Sequence, residues 1–486
     1  MKKECGQCGK GFEVSDEDLA FYGGLSPEVP PPSLCFFCRH QKRLAFRNEI
    51  NLYHRKCDFS GEKIISMYSP DKEYRVYDQH IWWSDKWDPL EYGRDYDFNR
   101  GFFEQYAELQ KEVPRMSFNN INAENSDYCN LALDNKDCYL IFTADNNEKC
   151  AYLRFSDKNY ACFDCDYTYD SIECYECLDV EKGNRCLYCH KCVNSSGLVF
   201  CYNMIGCHDC IGCANLRNKR YYIFNREYSK SEFDKKRAEL GWSRLKSEYA
   251  EFLRSQPRKY LDIVNCENSL GDNLRDCKNA YMCYNSVGLE DCRYMMNCYF
   301  AKDCYDWDFV AQKGSERCHE MASCAYNMVN CHFCSGCWEN CSDFYYCELC
   351  LNSSDLFGCI SLRHKKYCIL NKQYSREEYF ELRGRIIEKM RADGEWGEFF
   401  PYSLSTYAYN ETVAGEYFPL DEAEVLKRGW KWHEEEEGGG GLKIIDIERK
   451  FCEKVGVPLP KVAWKERQRL RMKLRNPWML WARKCD

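Results

Sequence analysis

Cys5-Gly-Gln-Cys8 and Cys35-Phe-Phe-Cys38 are two Cys-x-x-Cys knuckles. Two such knuckles let four thiolates converge tetrahedrally on one Zn²⁺, so Cys5, Cys8, Cys35 and Cys38 are the candidate metal ligands and zinc the expected cofactor. The 26 residues between the knuckles exceed the usual spacing of about 15–20. The run from Gly23-Gly24 through Pro32 accounts for the excess as a loop. Four thiols in so small a segment have little core to fold around without a metal.

The rest of the thiol chemistry is less sharply defined. The chain has 37 cysteines in 486 residues: fourteen between Asp127 and Leu216, sixteen between Cys266 and Cys368, and seven elsewhere. Cys162/Cys165, Cys174/Cys177, Cys186/Cys189, Cys210/Cys213, Cys331/Cys334 and Cys347/Cys350 are pairs that could bind further zinc or iron–sulfur centres or act in redox chemistry. Cys277/Cys283, Cys292/Cys298 and Cys318/Cys324 sit six apart. Strained disulfides and buried packing thiols are the other readings. Cys186-Leu-Tyr-Cys189-His190 matches a c-type haem attachment motif in form, but it also belongs to the cysteine repeat described next. No Gly-rich phosphate loop, zinc-protease helix or Ser-His-Asp set can be read, so no catalytic residue is named and an enzyme is not expected.

The elements that would position these thiols follow from a period. Cys138, Cys150, Cys162, Cys174 and Cys186 are twelve apart, as are Cys165, Cys177, Cys189, Cys201 and Cys213. Twelve residues are too few for a helical hairpin and suit a coil of short strands, so the fold expected is mainly β: two narrow β-solenoids with inward cysteine columns. Asn147, Asn159, Ser171, Gly183 and Ser195 share one column, and as turn-formers they predict a corner there. In the second module Cys277, Cys292, Cys304, Cys318 and Cys331 are spaced 15, 12, 14 and 13, which predicts insertions at corners. Gly212-Cys213 through Asn225 aligns without gaps to Gly358-Cys359 through Asn371, and Ser229-x-x-Glu232 and Ser375-x-x-Glu378 then open a capping helix on each module.

The ends also repeat. With a constant offset of 428, Arg39, Arg47-Asn48, Leu52 and Arg55-Lys56-Cys57-Asp58 match Arg467, Arg475-Asn476, Leu480 and Arg483-Lys484-Cys485-Asp486, while Cys35 and Cys38 become Ala463 and Glu466. The first knuckle falls on His433 and Glu436. A degenerate, metal-free ribbon is therefore expected at the C-terminus. The order predicted is a ribbon with basic tail (1–58), an aromatic and acidic connection (59–125), a solenoid (126–225), capping helix and linker (226–263), a second solenoid (264–374), its capping helix (375–397), a linker (398–441) and the degenerate ribbon (442–486). Within the connection, the aromatics from Ile81 to Phe103 suit either a binding face or, as is more common, a compact core.

Phe12, Asp18-Leu19-Ala20-Phe21-Tyr22, Pro32 and Cys38-Arg39 resemble the probable zinc-ribbon domain family over about the first 45 residues. The whole chain, including Trp82-Trp83-Ser84-Asp85-Lys86-Trp87-Asp88-Pro89, resembles a bacterial group of cysteine-rich proteins that join such ribbons to Asp-Cys and Asn-Cys repeats. This resemblance implies no activity.

Composition narrows the partners. The start has no apolar h-region and no long apolar window follows, so a cytoplasmic protein with reduced thiols and no membrane span is expected. A balance of 68 basic to 77 acidic residues excludes a uniformly basic nucleic-acid coat. Lys461 to Asp486 nevertheless holds nine Lys or Arg against two acids. Arg467, Arg469, Arg471, Lys473 and Arg475 are the candidate RNA contacts there, though such a run also suits a solvated helix face or pairing with Glu434–Glu437. The leading expectation is a zinc-binding scaffold with a protein or RNA partner and no small-molecule substrate. The alternative is a thiol redox or metal-storage protein.

Overall fold

The computed structural model describes residues 1–309, 342–434 and 441–484. The chain is mainly β and divides into two compact units that interleave along the sequence: Met1–Ser117 with Tyr260–Glu434 and Trp478–Asp486, and Phe118–Lys259 with Glu435–Pro477. Each contains one parallel β-solenoid.

In the second of these units the coil is twelve residues long: Leu153 pairs with Cys165, Leu178 with His190, and His190 with Tyr202, all parallel. Each coil has four sides of three residues. In Cys162-Phe163-Asp164 the first side chain points inward, the second residue pairs with the next coil, and the third has φ near +53° and turns the corner. Left-handed corners recur at every third residue, through Lys149, Tyr152, Phe155, Lys158, Ala161 and Asp164. Each costs roughly 1–2 kcal/mol for an L-residue. Stacking offsets that cost, because the other backbone groups pair between coils: Phe163 N–H donates to Cys174 O (2.9 Å) and Glu173 N–H to Tyr160 O (2.9 Å).

This geometry leaves the N–H of many inward residues facing the core, where an unpaired donor is costly. The inward side chain of the preceding coil accepts it. Cys162 and Cys174 N–H donate to the Sγ of Cys150 and Cys162 (3.4 Å each), Thr168 N–H to Ser156 Oγ (3.2 Å) and Ser171 N–H to Asn159 Oδ1 (3.1 Å). The thiols donate in turn, as Cys165 Sγ does to Phe163 O at 3.2 Å. Cys, Ser and Asn thus serve as small acceptors in different inward columns, while Leu153, Val180 and Leu198 fill other inward places.

The corner expected at Asn147, Asn159, Ser171, Gly183 and Ser195 is displaced by one residue. These side chains lie inside, and the corners are Asn146, Lys158, Asp170, Lys182 and Asn194. Asn159 Nδ2 donates to Asn147 Oδ1 (3.0 Å) and Thr168 O (2.8 Å), forming a buried amide ladder. Asn159→Ala should strand the Ser171 amide and lower stability by about 2 kcal/mol. Chemical denaturation tests this, and a loss under about 0.5 kcal/mol would contradict the ladder's role.

Between Lys278 and Lys302 the first unit's solenoid keeps the same metre, so the insertion expected between Cys277 and Cys292 is not there, while the spacings through Cys318 and Cys331 run beyond the described residues. Lys278 pairs with Glu290 and Glu290 with Lys302, at twelve. Cys277 and Cys292 are 15 apart because they occupy neighbouring inward columns, with Ala280 sharing the column of Cys292 and Cys304. The irregularity observed lies earlier, at a register shift between Leu270 and Gly271. A Cβ on Gly271 would meet Cys283 O at 1.8 Å, so only glycine allows the coils to close there. Cys318, Cys324, Cys331 and Cys334 lie outside the described residues. From Ser342 onward the register is again twelve, Ser342 to Ser354 to Lys366.

Both solenoids finish alike. A final strand turns back antiparallel, Arg226–Glu227 in one and Lys372–Gln373 in the other, and closes the last edge. The predicted capping boxes form at Ser229/Glu232 and Ser375/Glu378. The first opens Lys230–Glu239, which breaks before Trp242–Arg254, and the second opens Arg376–Asp393. Phe233 and Tyr379 anchor the helices as buried side chains. No helix among the described residues is long and apolar enough to cross a membrane.

Candidate metal centre

The antiparallel strands Lys2–Glu4 and Gly11–Glu13 bring the chain into a tight turn holding Cys5 and Cys8. Cys5 N–H donates to Lys10 O (3.0 Å) and Gly9 N–H to Cys5 O (2.9 Å), with Gly9 at φ +68°. Cys35 caps the helix Phe36–Leu44, and Cys38 stands in its first turn. Helix N–H groups and the helix dipole favour thiolate there.

All four Sγ atoms lie within 4.8 Å of one another. Cys8 and Cys35 are 3.8 Å apart, the edge of a tetrahedron with metal–sulfur bonds of about 2.3 Å. Cys35 N–H donates to Cys5 Sγ (3.3 Å), as expected around a thiolate. The Cys38 thiol, donating to Cys35, pulls Cys35 down to about 5, while Cys38 itself is raised because its proton is shared with Cys35. Cys8 is exposed and the other three are buried. The donor set therefore fits a soft, tetrahedral metal ion. Among the described residues this is the one group of three or more ligand side chains arranged to hold a metal.

The helix Phe36–Leu44 is tied to its solenoid by buried ion pairs. Arg39 bonds Asp306 (2.9 Å), Arg43 bridges Asp306 (3.2 Å) and Asp308 (2.6 Å), and His40 Nδ1 lies 2.9 Å from Asp308. The Arg39 guanidinium covers Tyr294 at 5.1 Å, Arg47 covers Phe309 at 4.3 Å, and Phe21 stacks on Tyr305 at 3.7 Å.

The other unit repeats this arrangement without the cysteines. Arg467 bonds Asp164 (2.8 Å) and Glu448 (2.9 Å), and Arg471 bonds Asp164 (3.2 Å), Asp166 (2.8 Å) and Glu176 (3.0 Å). Arg467 covers Tyr152 at 5.1 Å, Arg475 covers Tyr167 at 3.6 Å, and Phe451 packs on Phe163 at 4.6 Å. Arg39, Arg43 and Arg47 thus correspond to Arg467, Arg471 and Arg475, and Asp306 and Asp308 to Asp164 and Asp166. Ala463 caps the helix Trp464–Met472 where Cys35 caps its counterpart, and Glu466, in place of Cys38, pairs with Arg469 at 2.7 Å. Glu436 lies outside the described residues.

Three of the five cations considered for RNA are therefore committed within the fold. Arg467 and Arg471 are buried and Arg475 half-buried, bonded to Asp179 at 2.8 Å. Arg469 and Lys473 are exposed. The aspartates facing the arginines were not singled out from sequence. Their signal was the match of Cys162-Phe-Asp164-Cys165-Asp166 to Cys304-Tyr-Asp306-Trp307-Asp308, opposite arginines spaced four apart on one helix face.

The solenoid thiols have other surroundings. Cys162, Cys165, Cys174, Cys177, Cys186, Cys189, Cys210 and Cys213 are buried free thiols in the coil interior. Cys186 and Cys189 face the interior on successive coil sides and His190 lies 3.3 Å from Asp179, so the haem-like motif presents no common face. In the aromatic stretch, Trp82 and Trp87 are buried and their indole N–H groups reach Pro114 O (3.2 Å) and Trp82 O (3.0 Å), as a packed core requires.

Comparison with known proteins returns no match among family models, curated proteins or solved structures. The structure at the first 45 residues is compatible with a zinc ribbon through its four converging cysteines.

Glu448 supplies a pH test of this second docking. Burial pushes its carboxyl up to about 7 from an ordinary 4.5, with Arg467 opposing and Asp164 adding to the rise; Tyr152 also bonds it. The folded state therefore holds this proton where the unfolded chain has released it. The stabilisation is complete below about 4.5 and is lost as pH rises through about 7. Glu448→Gln should flatten that dependence in hydrogen exchange of Trp464–Met472. An unchanged pH slope would contradict the assignment.

Proposed function

We propose that the chain is a zinc-binding, non-enzymatic scaffold of the cytoplasm that presents its solenoid surfaces to a macromolecular partner, protein or RNA. The observation that carries this reading is the contrast between two kinds of cysteine. One group of four converges with an exposed sulfur and metal-sized spacing, whereas the solenoid thiols are buried and engaged with the backbone. That second environment supports a structural role for them over redox chemistry or metal storage. The C-terminal copy, docked by the same arginines with Ala463 and Glu466 in place of Cys35 and Cys38, supports docking as the purpose the two ends share.

Metal content tests the reading. Protein purified anaerobically should contain one zinc per chain, and Cys35→Ser should contain none. Several zinc or iron atoms per chain, surviving in Cys35→Ser, would favour the storage reading. The partner's class is tested by retention of cellular RNA between about 50 and 200 mM salt. Retention that falls with salt and weakens in Arg469→Ala/Lys473→Ala supports an RNA partner, and salt-insensitive behaviour supports a protein.

A further inference from the structure

Residues 53–83 repeat the N-terminal ribbon hydrogen bond by hydrogen bond. The strands Tyr53–Lys56 and Lys63–Ser66 are antiparallel with Lys56 opposite Lys63 and Arg55 opposite Ile64. Shifted by 52 residues this is the N-terminal register, Glu4 opposite Gly11 and Lys3 opposite Phe12. Cys57 follows its strand as Cys5 does. Cys57 N–H donates to Glu62 O (2.8 Å) and Gly61 N–H to Cys57 O (2.8 Å), and Gly61 has φ +75°, matching Lys10, Gly9 and the φ of +68°.

The second half corresponds as well. Asp78 caps the helix Gln79–Trp83 as Cys35 caps Phe36–Leu44. Asp78 N–H donates to Cys57 Sγ at 3.3 Å, and Cys35 N–H donates to Cys5 Sγ at 3.3 Å. Burial would raise the Cys57 thiol, but the Asp78 amide and the hydroxyl and amide of Ser60 donate to it and leave it below its ordinary range. In this correspondence the ligands Cys5, Cys8, Cys35 and Cys38 fall on Cys57, Ser60, Asp78 and Ile81.

We infer that residues 53–83 are a second metal-ribbon fold in which one thiol of the tetrahedral site survives and three ligands have been replaced by Ser60, Asp78 and Ile81. Its remaining sulfur is held by the same backbone amides that surround a ligating thiolate, with Ser60 Oγ taking the neighbouring ligand's place. The backbone frame of a soft-metal centre is therefore present. The side chains that would complete it are not.

The test restores them. Full-length Ser60→Cys/Asp78→Cys/Ile81→Cys is titrated anaerobically with Co²⁺, and the intense sulfur-to-cobalt bands of a tetrathiolate site are counted against the parent chain. The variant should bind one Co²⁺ more than the parent. In a Cys35→Ser background the same three substitutions should still give one, so this centre is read independently of the N-terminal one. Should the triple variant fail to fold, Ser60→Cys/Asp78→Cys/Ile81→His, which also restores four ligands, should gain one Co²⁺. A Co²⁺ count equal to the parent's in both variants would overturn the inference.

Discussion

Arg471→Ala is expected to release the helix Trp464–Met472 from its solenoid. The guanidinium is buried and joins three carboxylates, Asp164, Asp166 and Glu176. Burying charge is costly, and removing one partner from a buried cluster costs about 3–5 kcal/mol, even though Asp164 keeps Arg467. Asp166 already pays in part, its carboxyl being raised by burial against the pull of Arg471. Arg471→Lys should recover only part of the loss, since a single ammonium cannot serve three acceptors in fixed directions. Arg469→Ala is the control: its bond to Glu466 is exposed and screened by solvent. Hydrogen exchange of residues 464–472 should rise sharply in Arg471→Ala and stay unchanged in Arg469→Ala. Equal protection in the two variants would show that the ion pairs do not hold the helix.

Stripping the metal should separate two parts of the N-terminal ribbon. The strands Lys2–Glu4 and Gly11–Glu13 have few partners besides the knuckle, and a structural zinc supplies on the order of 10 kcal/mol or more in small domains. Chelation should therefore abolish protection across residues 2–13. The helix Phe36–Leu44 should keep its protection, because Arg39 and Arg43 hold it to Asp306 and Asp308. The C-terminal copy motivates this division: Trp464–Met472 is docked by the same arginine pattern with Ala463 and Glu466 in place of cysteines. Loss of protection in both segments together would mean that the metal, and not the arginines, fixes the helix.

The period of twelve and the inward cysteines were legible in the sequence because side chains in a stacked column face one environment. The corners were not. A left-handed residue is usually found by its glycine or asparagine, but here Tyr152, Phe155, Lys158 and Ala161 all adopt it, stacking having offset a cost that isolated turns could not. The ladder of Asn147 and Asn159 was mistaken for a turn for the same reason: asparagine accepts a backbone N–H equally well inside the coil. The 15-residue step from Cys277 to Cys292 misled because a thiol can move from one inward column to the next without changing the coil. At the site, the knuckles themselves announced the four cysteines that converge. The aspartates that dock the ribbons stayed hidden, since Asp164 and Asp306 occupy corner positions where aspartate is unremarkable until an arginine is placed opposite.

Zinc-edge X-ray absorption on the intact chain tests the central claim most directly. The account predicts a single shell of four sulfurs at about 2.3 Å, lost in Cys35→Ser while the other cysteines remain. A shell containing nitrogen or oxygen, or one that persists unchanged in Cys35→Ser, would contradict it.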